Sequence, residues 1–422
     1  MLLYNKTKII EKELNNLSRE IRSMKMEKVV IIAAKRTPIG TFDSIFKEIS
    51  AVDLGVIVLK EILHETNLSP SLIDEIIIGN VLGAGLGQNV ARQVAIKSGV
   101  PFETPAFTVN KVCGSGMKAI SLAAQQIKLG EAEIMVAGGT ENMSQVPYLL
   151  QDARWGARMN DKSLVDMMVY DGLTDVFNNY HMGITAENLA EKYQISRQEQ
   201  DQYATASQNK AERAILTHRF QDEIVKISLP QRKGDPLIIS TDEFPRPGVT
   251  MESLAKLRPA FKADGTVTAA NASGINNGAA LLLLMSERKA LEFGIKPLAY
   301  FLDSTVAGVD PKIMGYGPVP AIKKILARNN RKITDIGLAE LNEAFAAQAL
   351  AVYKGIENEI GSFDQELINV NGGAISLGHP IGASGARIMV TLVHEMNKRN
   401  TKLGLAALCI GGGMGIASLL ER

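Results

Sequence analysis

Cysteine is scarce in this chain, which has only two cysteines, Cys113 and Cys409, among its 422 residues. Two cysteines cannot build the disulfide framework of a small secreted protein, and neither of them lies in a CxxC pair. Their scarcity favours a reducing compartment, so we expect a cytoplasmic protein. Each thiol therefore has to be explained from its own surroundings.

An excess of charge of one sign is also missing, since 46 basic residues stand against 45 acidic ones. Such a chain has no net field that would attract nucleic acid or an anionic membrane surface. The apolar runs, such as residues 29–34 and 279–285, are far shorter than the roughly 20 residues that a membrane span needs. We expect a soluble, enzyme-sized protein of two or three domains that binds neither nucleic acid nor membrane.

The first 25 residues differ from the rest of the chain. A weakly amphipathic helix is predicted there from an apolar stripe that consists of Ile10, Leu14, Leu17, Ile21 and Met24. The segment has no apolar core of a secretory signal, and its glutamates argue against a transit peptide. We interpret residues 1–25 as a dispensable extension before a natural start at Met26, with a partner-binding helix as the alternative.

Strand and helix patterns alternate in two stretches of the chain. The predicted strands are residues 29–34, 76–78, 105–109, 134–137, 299–302, 337–341, 368–370, 405–409 and 416–420, with the fourth ending at Gly138-Gly139. The predicted helices are residues 51–63 behind a capping box at Ser50, 89–97, 117–127, 320–327, 343–353 and 383–396. Such alternation is typical of a mostly parallel sheet with right-handed crossovers.

The two stretches resemble each other, which predicts an internal duplication. Residues 134–139 and 407–412 look like equivalent strand ends, and residues 73–76 resemble residues 333–336. Between the two stretches strands and helices no longer alternate, and only two helices are predicted, around residues 186–193 and 197–219. We predict an extension (1–25), a first half (26–144, completed by about 275–296), an inserted loop-rich subdomain (145–274) and a second half (297–422).

Cys113 lies at a predicted strand-to-helix junction rich in glycine. The strand ends at Val109, and Cys113 lies in or just before the first turn of a helix that ends at Gly130. There the partial positive charge of unpaired N–H groups favours a thiolate over a thiol. The competing interpretation is a small buried apolar cysteine without chemistry.

A second junction of the same kind surrounds His379, in the run Gly378-His379-Pro380-Ile381-Gly382. In a duplicated fold His379 would face Cys113 and accept its proton. Cys409 ends another buried strand, where parallel sheets place their functional sites. His181 in the insertion is a candidate ligand contact, whereas His64, His218 and His394 look solvated.

No nucleotide or zinc pattern is present in the glycine and histidine motifs. No stretch matches the P-loop, and the run Gly411-x-Gly413 lacks the third glycine of a dinucleotide fingerprint. The cysteines and histidines do not have zinc-ligand spacing. We therefore expect no metal and no cofactor.

Four spaced motifs together resemble thiolases, over essentially all of the chain from Met26 onward. These motifs are Asn110-Lys111-Val112-Cys113-Gly114-Ser115-Gly116, Asn342-Glu343-Ala344-Phe345, Gly378-His379-Pro380 and Cys409-Ile410-Gly411-Gly412-Gly413-Met414-Gly415. The variants are more similar to biosynthetic acetoacetyl-CoA thiolases (acetyl-CoA C-acetyltransferases) than to long-chain 3-ketoacyl-CoA thiolases. The resemblance implies duplicated α/β halves in layers α-β-α-β-α, an inserted loop subdomain and a homotetramer that is a dimer of dimers.

The resemblance also implies a ping-pong Claisen condensation of two acetyl-CoA molecules to acetoacetyl-CoA and coenzyme A. Cys113 would be the nucleophile, His379 the base for its proton and Cys409 the base that removes a methyl proton. A water held by Asn342, together with His379, would serve the enolate oxygen. The N–H groups of Cys113 and Gly411 would serve the tetrahedral intermediate.

Coenzyme A, as substrate and product rather than cofactor, would enter beside the insertion. By resemblance its tunnel would be lined by Leu173, His181, Met182, Arg246, Ser253, Phe261, Ala272, Ser273, Gly274, Met314, Ala344 and Phe345. Ser273 would bond the pantetheine, and Arg246 would lie near the adenine.

Two other functions compete with this interpretation. A β-ketoacyl synthase also uses a nucleophilic cysteine, but pairs it with two histidines or a histidine and an asparagine, without a basic cysteine in a Cys-Ile-Gly-Gly-Gly run. In a non-enzymatic protein, the two cysteines with His181 and His379 would instead hold a structural metal.

Overall fold

The computed structural model of the protein describes residues 26–422. The amphipathic helix predicted for residues 1–25 lies outside the described residues, and its dispensability stays a prediction. Within the part of the chain that the structure describes, no helix is long and apolar enough to cross a membrane.

The first half of the chain alternates strands and helices up to residue 142. Its elements are β1 (Val29–Arg36), β2 (Gly40–Thr41), α1 (Ala51–Thr66), β3 (Glu75–Gly79), α2 (Val90–Lys97), β4 (Ala106–Val109), α3 (Ser115–Leu129) and β5 (Ile134–Asn142). Helix α1 begins at the predicted cap, where the Ser50 hydroxyl accepts the Asp53 N–H at 3.0 Å. Helix α3 ends at Gly130, which adopts the left-handed conformation predicted for it.

The middle of the chain consists of short elements. They are β6 (Tyr148–Leu149), β7 (Val165–Asp166), a π-helix (Met168–Leu173), β8 (Thr174–Asp175), β9 (Tyr180–His181), α4 (Met182–Lys192), α5 (Arg197–Leu216), β10 (Ile227–Leu229), β11 (Leu237–Ile239) and α6 (Met251–Ala255). These strands pair only with each other. The predicted domain limits around this stretch stay a prediction.

A buried ion cluster ties this middle stretch to the sheet. The Arg36 guanidinium on β1 donates to Glu223 and to Asp242, each at 2.6 Å, and all three side chains are shielded from solvent. The two carboxylates raise the pKa of Arg36 against the opposing effect of burial. Because an unpaired buried charge is costly, this cluster favours one position of the stretch on β1.

The second half repeats the alternation. Its elements are β12 (Asn276–Ser286), α7 (Glu287–Glu292), β13 (Ala299–Gly308), α8 (Pro318–Arg328), β14 (Leu338–Leu341), α9 (Ala346–Glu359), α10 (Ala374–Leu377), α11 (Ile381–Arg399), β15 (Leu403–Ile410) and β16 (Met414–Glu421). Short 3₁₀ turns lie at Pro70–Leu72, Met143–Gln145, Gln151–Trp155, Pro311–Tyr316, Ile333–Asp335 and Gln365–Leu367.

The main sheet has the order β4-β3-β5-β12-β1-β13-β16-β15-β14, with β2 attached to β12. Only the pairs β3–β4, β3–β5 and β14–β15 are parallel. The prediction of a mostly parallel sheet is therefore wrong. Strand β16 follows β15 through the tight turn 411–413, and β12 follows the middle stretch, so no crossover helix forces either strand to run parallel.

The duplication predicted from the sequence is visible in this order. In the first half, β3 pairs in parallel with β4 and β5, and β5, β12 and β1 follow as antiparallel neighbours. In the second half, β14, β15, β16 and β13 repeat that order and direction. Strands β1 and β13 pair with each other and join the halves.

The duplicated halves enclose helices α3 and α11 between them. A single hydrophobic core joins these two helices to both halves of the sheet, and it includes Ile120, Met389, Met135 and Leu408. Helices α1 and α2 cover the opposite face of the first half, and α8 and α9 cover that of the second. The layers therefore run α-β-α-β-α, as the resemblance implies.

Three local predictions differ from the structure. Strand β5 continues through Gly138-Gly139 to Asn142, and a Cβ on Gly139 would lie 2.1 Å from the Gly382 carbonyl, so these glycines allow close packing. Helix α9 begins at Ala346 rather than Glu343, because the Glu343 carboxylate is directed into bonds from Ser207 and Asn369. Residues 368–370 form no strand, since only one parallel bridge joins Ile368 to β14.

Candidate active site

Two helix N-termini meet at the centre of the molecule. Cys113 precedes the first residue of α3 by two positions, and His379 stands in the same relation to α11. A Cβ on Gly116 would lie 2.9 Å from the Ala386 nitrogen, and one on Gly385 would lie 2.6 Å from the Met117 nitrogen. The two helices thus touch backbone to backbone, which brings their preceding junctions together.

The chain before Cys113 turns sharply. Val112 has a φ of 46°, a left-handed conformation that is strained for a β-branched residue. The Asn110 side chain accepts the Val112 N–H at 2.9 Å. The Ser115 hydroxyl accepts the Lys111 N–H at 2.8 Å and donates to the Val112 carbonyl at 2.6 Å. These bonds hold the turn that presents the Cys113 thiol.

The thiol of Cys113 is surrounded by backbone donors, but burial dominates its ionisation. Burial raises the pKa of Cys113 to about 11, although the N–H groups of Gly411 and of Cys113 itself lower it. The prediction that the helix start favours a thiolate at rest is therefore wrong. The effect of these two N–H groups on the pKa is that of donors near the sulfur, and their role as an oxyanion hole stays a prediction.

The His379 imidazole is oriented from its Nδ1 side. Nδ1 lies 2.6 Å from the Ser384 hydroxyl, which itself donates to the Pro380 carbonyl at 2.9 Å. Because that hydroxyl has one hydrogen, it accepts from an Nδ1–H, and Nε2 keeps its lone pair. Among the described residues Nε2 has no hydrogen-bond partner, and the imidazole lines the same cavity as Cys113.

Further contacts fix the backbone and the protonation state of His379. Its N–H donates to the Asn276 side chain at 2.9 Å. Burial, with a contribution from the positive charge of Arg387, lowers the pKa of His379 to about 4. The free site therefore holds a neutral imidazole beside a neutral thiol at neutral pH.

Cys409 ends strand β15 and is fully buried. Burial and the neighbouring Cys113 thiol raise the pKa of Cys409 far above its usual range. The chain then turns through Gly412 and Gly413, both at positive φ, which places the Gly411 N–H beside Cys113. A Cβ on Gly411 would lie 3.0 Å from the Met182 methyl group, so Met182 packs closely on this turn.

Asn342 follows strand β14 and is almost completely buried. Its backbone N–H donates to the Ala407 carbonyl at 3.0 Å. Within residues 26–422 its side-chain oxygen and nitrogen have no partner, although it does not line the cavity wall itself. An unpartnered buried amide needs a polar group beside it, which fits the predicted role of holding a water.

Cys113, His379, Cys409 and Gly411 all line one cavity of about 350 Å³. The predicted coenzyme A residues that also line it are Leu173, His181, Met182, Arg246, Phe261, Ala272, Ser273, Gly274, Met314, Ala344 and Phe345. Ser253 does not line it, because Ser253 lies exposed on α6 and donates to the Thr250 carbonyl. The roles of these residues stay predictions.

The histidines outside the catalytic pair have other surroundings. His181 caps α4 by accepting the Gly183 N–H at 3.0 Å and stacks on Phe261, with ring centroids 4.5 Å apart. His64 and His218 are exposed, as predicted. His394 is half-buried and bonds through Nε2 to the Ala34 carbonyl at 2.7 Å, so the prediction that it is solvated is wrong.

The metal-binding interpretation has no geometric support. Among residues 26–422 there is no group of three or more histidine, cysteine, aspartate or glutamate side chains placed to hold a metal ion. Cys113, His379 and Cys409 line the same cavity, an arrangement that would suit a nucleophile with two groups that can transfer protons.

A comparison with known proteins decides the family. A family model of the thiolase N-terminal domain matches residues 29–288, and one of the thiolase C-terminal domain matches residues 295–422. The chain belongs to the thiolase family. This thiolase is therefore an enzyme, and the predicted resemblance and fold class are confirmed.

Similar proteins cover nearly the whole of this thiolase. It is 57% identical over 397 residues to a "Probable acetyl-CoA acyltransferase" of Staphylococcus aureus, covering 94% of this chain and 100% of the relative. It is 55% identical over 396 residues to an "Acetyl-CoA acetyltransferase" of Allochromatium vinosum, covering 94% and 99%.

Solved structures agree with these relatives. The acetyl-CoA acetyltransferase of Bacillus anthracis superposes with a TM-score of 0.91 at 47% identity, and that of Syntrophomonas wolfei with 0.92 at 42%. Each comparison covers 94% of this chain and 100% of the other.

Several residues that position the site were not predicted from the sequence. Ser384 orients the imidazole, Asn276 holds the His379 backbone, and Glu141 bonds to Gly382 in the first turn of α11. Ser384 lies in the same glycine-rich run as His379, so its place in the sequence could have indicated a contact with the imidazole. Glu141 and Asn276 meet α11 only through the tertiary fold.

Proposed function

We propose that this thiolase condenses two acetyl-CoA molecules to acetoacetyl-CoA and coenzyme A, and catalyses the reverse thiolysis. The observation that carries this proposal is that Cys113, His379 and Cys409 line one cavity, where the N–H groups of Gly411 and Cys113 lower the pKa of the Cys113 thiol against the effect of burial. The names of the relatives support acetyl-CoA as the substrate.

Acetyl transfer is the first proposed step. The Nε2 lone pair of His379 takes the Cys113 proton while the sulfur attacks the thioester carbonyl. The resulting oxyanion accepts bonds from the N–H groups of Cys113 and Gly411. When the intermediate collapses, the coenzyme A sulfur leaves with the proton of Cys409, and an imidazolium and a Cys409 thiolate remain.

Condensation is the second proposed step. Because burial raises the pKa of Cys409, its thiolate is a strong base for the methyl proton of the second acetyl-CoA. The imidazolium and a water held by Asn342 stabilise the enolate oxygen. The enolate carbon attacks the acetyl group, acetoacetyl-CoA leaves, and His379 returns its proton to Cys113.

The cavity suits a small acyl group at the end of a long carrier. Its inner wall is apolar, with Leu173, Met182 and Ile381 around the reactive sulfur atoms. Ser273 and Arg246 also line the cavity, and we propose that Ser273 contacts the pantetheine and Arg246 the adenine end. No cofactor or metal is needed for this chemistry, and two unpaired thiols suit a cytoplasmic enzyme.

We also propose that the enzyme is a homotetramer built as a dimer of dimers. The stretch 148–177 carries exposed large apolar side chains, and Trp155 and Met159 are 76% and 77% exposed. Exposed apolar patches of this kind are typical of contact surfaces, and a second copy of the chain is the occupant that we propose.

Two cysteine variants test the chemistry. Cys409→Ser should still form acetyl-enzyme but lose acetoacetyl-CoA synthesis by a factor on the order of a hundred or more, as for a lost general base. Cys113→Ser should lose both activities. Intact mass follows the acetyl-enzyme, and absorbance follows the product.

If Cys409→Ser condenses acetyl-CoA at close to the parent rate, another group is the base. If acetyl-CoA leaves no acetyl group on Cys113 of the parent enzyme, the proposed function itself is wrong.

A further inference from the structure

Glu141 is a buried carboxylate that the proposed reaction does not use. It lies near the end of strand β5 and is completely shielded from solvent. Among the described residues no cationic side chain forms an ion pair with it, and burial raises its pKa to about 7. Because an unpaired buried carboxylate is unfavourable, its retention at this place calls for a specific role.

Four neutral donors surround this carboxylate, and they come from two separate segments. From the loop after β3 it accepts the N–H groups of Val81 at 3.0 Å and Leu82 at 3.1 Å, and the Asn80 amide at 2.8 Å. From the first turn of α11 it accepts the N–H of Gly382 at 2.9 Å. One carboxylate thus joins the two segments.

The first of these segments is next to the nucleophile. Val81 and Leu82 pack in a small apolar cluster with Met168 and Ile381, and Cys113 packs against the same cluster. Val81 and Leu82 do not line the cavity themselves, but Leu173 and Ile381 of this cluster do, together with Cys113. A shift of the loop therefore moves the surroundings of the sulfur.

The second segment carries the base. Gly382 lies three positions after His379, and Ile381 between them lines the cavity. The contact is close, since a Cβ on Gly382 would lie 2.5 Å from the Glu141 Oε2 atom. The position of α11 against Glu141 therefore determines where the imidazole stands.

We propose that Glu141 is a positioning residue. Its carboxylate links the loop 80–82 to the first turn of α11, and this link holds the His379 imidazole in its position relative to the Cys113 thiol. This inference rests on the proposed function, because it concerns the acetyl-transfer step of that reaction. It predicts that the length of the Glu141 side chain matters for the rate.

The charge of Glu141 offers a second test of the proposal, through the pKa of the Cys113 thiol. Within residues 26–422, the Glu141 carboxylate acts on the Cys113 thiol by its charge and raises the pKa of Cys113, although burial contributes more. The positive charge of Arg387 acts on His379 instead and lowers the pKa of its imidazole. Removing the Glu141 charge should therefore make the Cys113 thiol ionise at a lower pH, whereas moving the carboxylate without removing the charge should not.

Two variants separate position from charge. Glu141→Asp keeps the charge but withdraws the carboxylate by one methylene group, so it cannot reach both segments. Glu141→Gln keeps the length but removes the charge and presents N–H groups to backbone donors. Glu187→Gln is the matched control, because Glu187 is also a buried acceptor of backbone N–H groups, from Thr266 and Val267, away from Cys113.

Single-turnover acetylation by acetyl-CoA and the pH dependence of Cys113 alkylation by iodoacetamide are measured on each full-length variant. Both Glu141 variants should acetylate about a hundredfold more slowly than the parent, with a much smaller change in KM, because a misplacement near 1 Å has an effect of that size. The alkylation midpoint should fall by about half a pH unit or more in Glu141→Gln and stay in place in Glu141→Asp.

The proposal is overturned if both Glu141 variants acetylate within about twofold of the parent, a change too small for a positioning role. It is also overturned if Glu187→Gln reproduces the rate loss and the midpoint shift, since the effect would then be a general loss of stability. Should Glu141→Gln not fold, Glu141→Asp and Asn80→Ala, which removes one donor from the loop, decide the rate prediction. Failure of the proposed function would be seen separately, as a parent enzyme that is not acetylated on Cys113.

Discussion

The reactive side chains of this enzyme are kept neutral by burial. The pKa of Cys113 is raised to about 11 and that of His379 is lowered to about 4, so no ion pair exists between them in the free site near pH 7. In the proposed reaction the proton therefore moves during attack on the thioester rather than before it. A free-enzyme rate profile should consequently contain no His379 titration near pH 6.5, and an inflection near pH 7 would belong to Glu141, whose pKa burial raises to about 7, and should be absent from Glu141→Gln.

Burial of a neutral His379 also affects folding stability. Since its pKa is lower in the folded than in the unfolded chain, the unfolded state binds more protons between about pH 4 and 6.5. The free energy of unfolding therefore contains a contribution that is present above pH 6.5 and is lost as the pH falls towards 4.

Ser384 determines which nitrogen of His379 is free to act. We predict that Ser384→Ala lowers single-turnover acetylation by about tenfold or more, because an unheld imidazole samples the wrong tautomer and orientation. Most of the loss should appear in kcat rather than in KM. Ser384→Thr, which restores a hydroxyl, should recover part of the rate.

Stopped-flow or quenched mass measurements of acetyl-enzyme give the Ser384 rates. Acetylation of Ser384→Ala at the parent rate would show that packing alone orients the ring.

The contact between helices α3 and α11 sets the distance between the two junctions. Gly116 and Gly385 allow the helix backbones to touch, and no side chain separates them. Cys113 and His379 each lie two residues before one of these helices. A change in the distance between the helices should therefore change the distance between the two side chains. Gly116 and Gly385 therefore help to position the two junctions, although neither glycine lines the cavity.

We predict that Gly385→Ala destabilises the fold by about 1–3 kcal/mol, because the added methyl group overpacks a tight interior. It should also slow acetylation more than this loss of stability explains. Gly308→Ala is the control, because the nearest atom to a Cβ there is 3.8 Å away.

Denaturant unfolding and single-turnover acetylation are compared for the two glycine variants. A Gly385→Ala enzyme with parent stability and rate would mean that the helices adjust without moving the junctions.

The molecule as a whole exposes its apolar surface unevenly. Large exposed apolar side chains are concentrated in residues 148–177, which belong to neither half of the main sheet. The ion cluster of Arg36 with Glu223 and Asp242 joins the middle stretch to β1 at residues outside this surface.

We predict that the double variant Trp155→Glu, Met159→Glu halves the molar mass in solution from that of a tetramer to that of a dimer, since buried unpaired charges are unfavourable in a contact. Light scattering after size-exclusion chromatography measures this mass. Leu291→Glu, a substitution at a similarly exposed residue on α7, should leave the mass unchanged. An unchanged tetramer in the double variant would place the contact on another surface.

The amino-acid sequence alone determined much of this protein. Apolar periodicity located β1 and most helices, the Ser50 cap and Gly130 marked helix ends, and the similarity of the two stretches predicted the duplication. The motifs around Cys113, His379 and Cys409 predicted the family and the residues that share one cavity. These features are local, so neighbouring residues in the chain suffice to specify them.

Only the tertiary structure decided the direction of the central strands, the neutral state of Cys113 and the positions of Glu141 and Ser384. Strand direction depends on which edges pair after a long insertion, and no local pattern in β12 contains that information. The ionisation of Cys113 depends on desolvation by side chains remote in sequence, which outweighs the helix-start effect that the sequence revealed. Glu141 bonds to Gly382 across 241 positions of the chain, so their contact exists only once the two halves have packed.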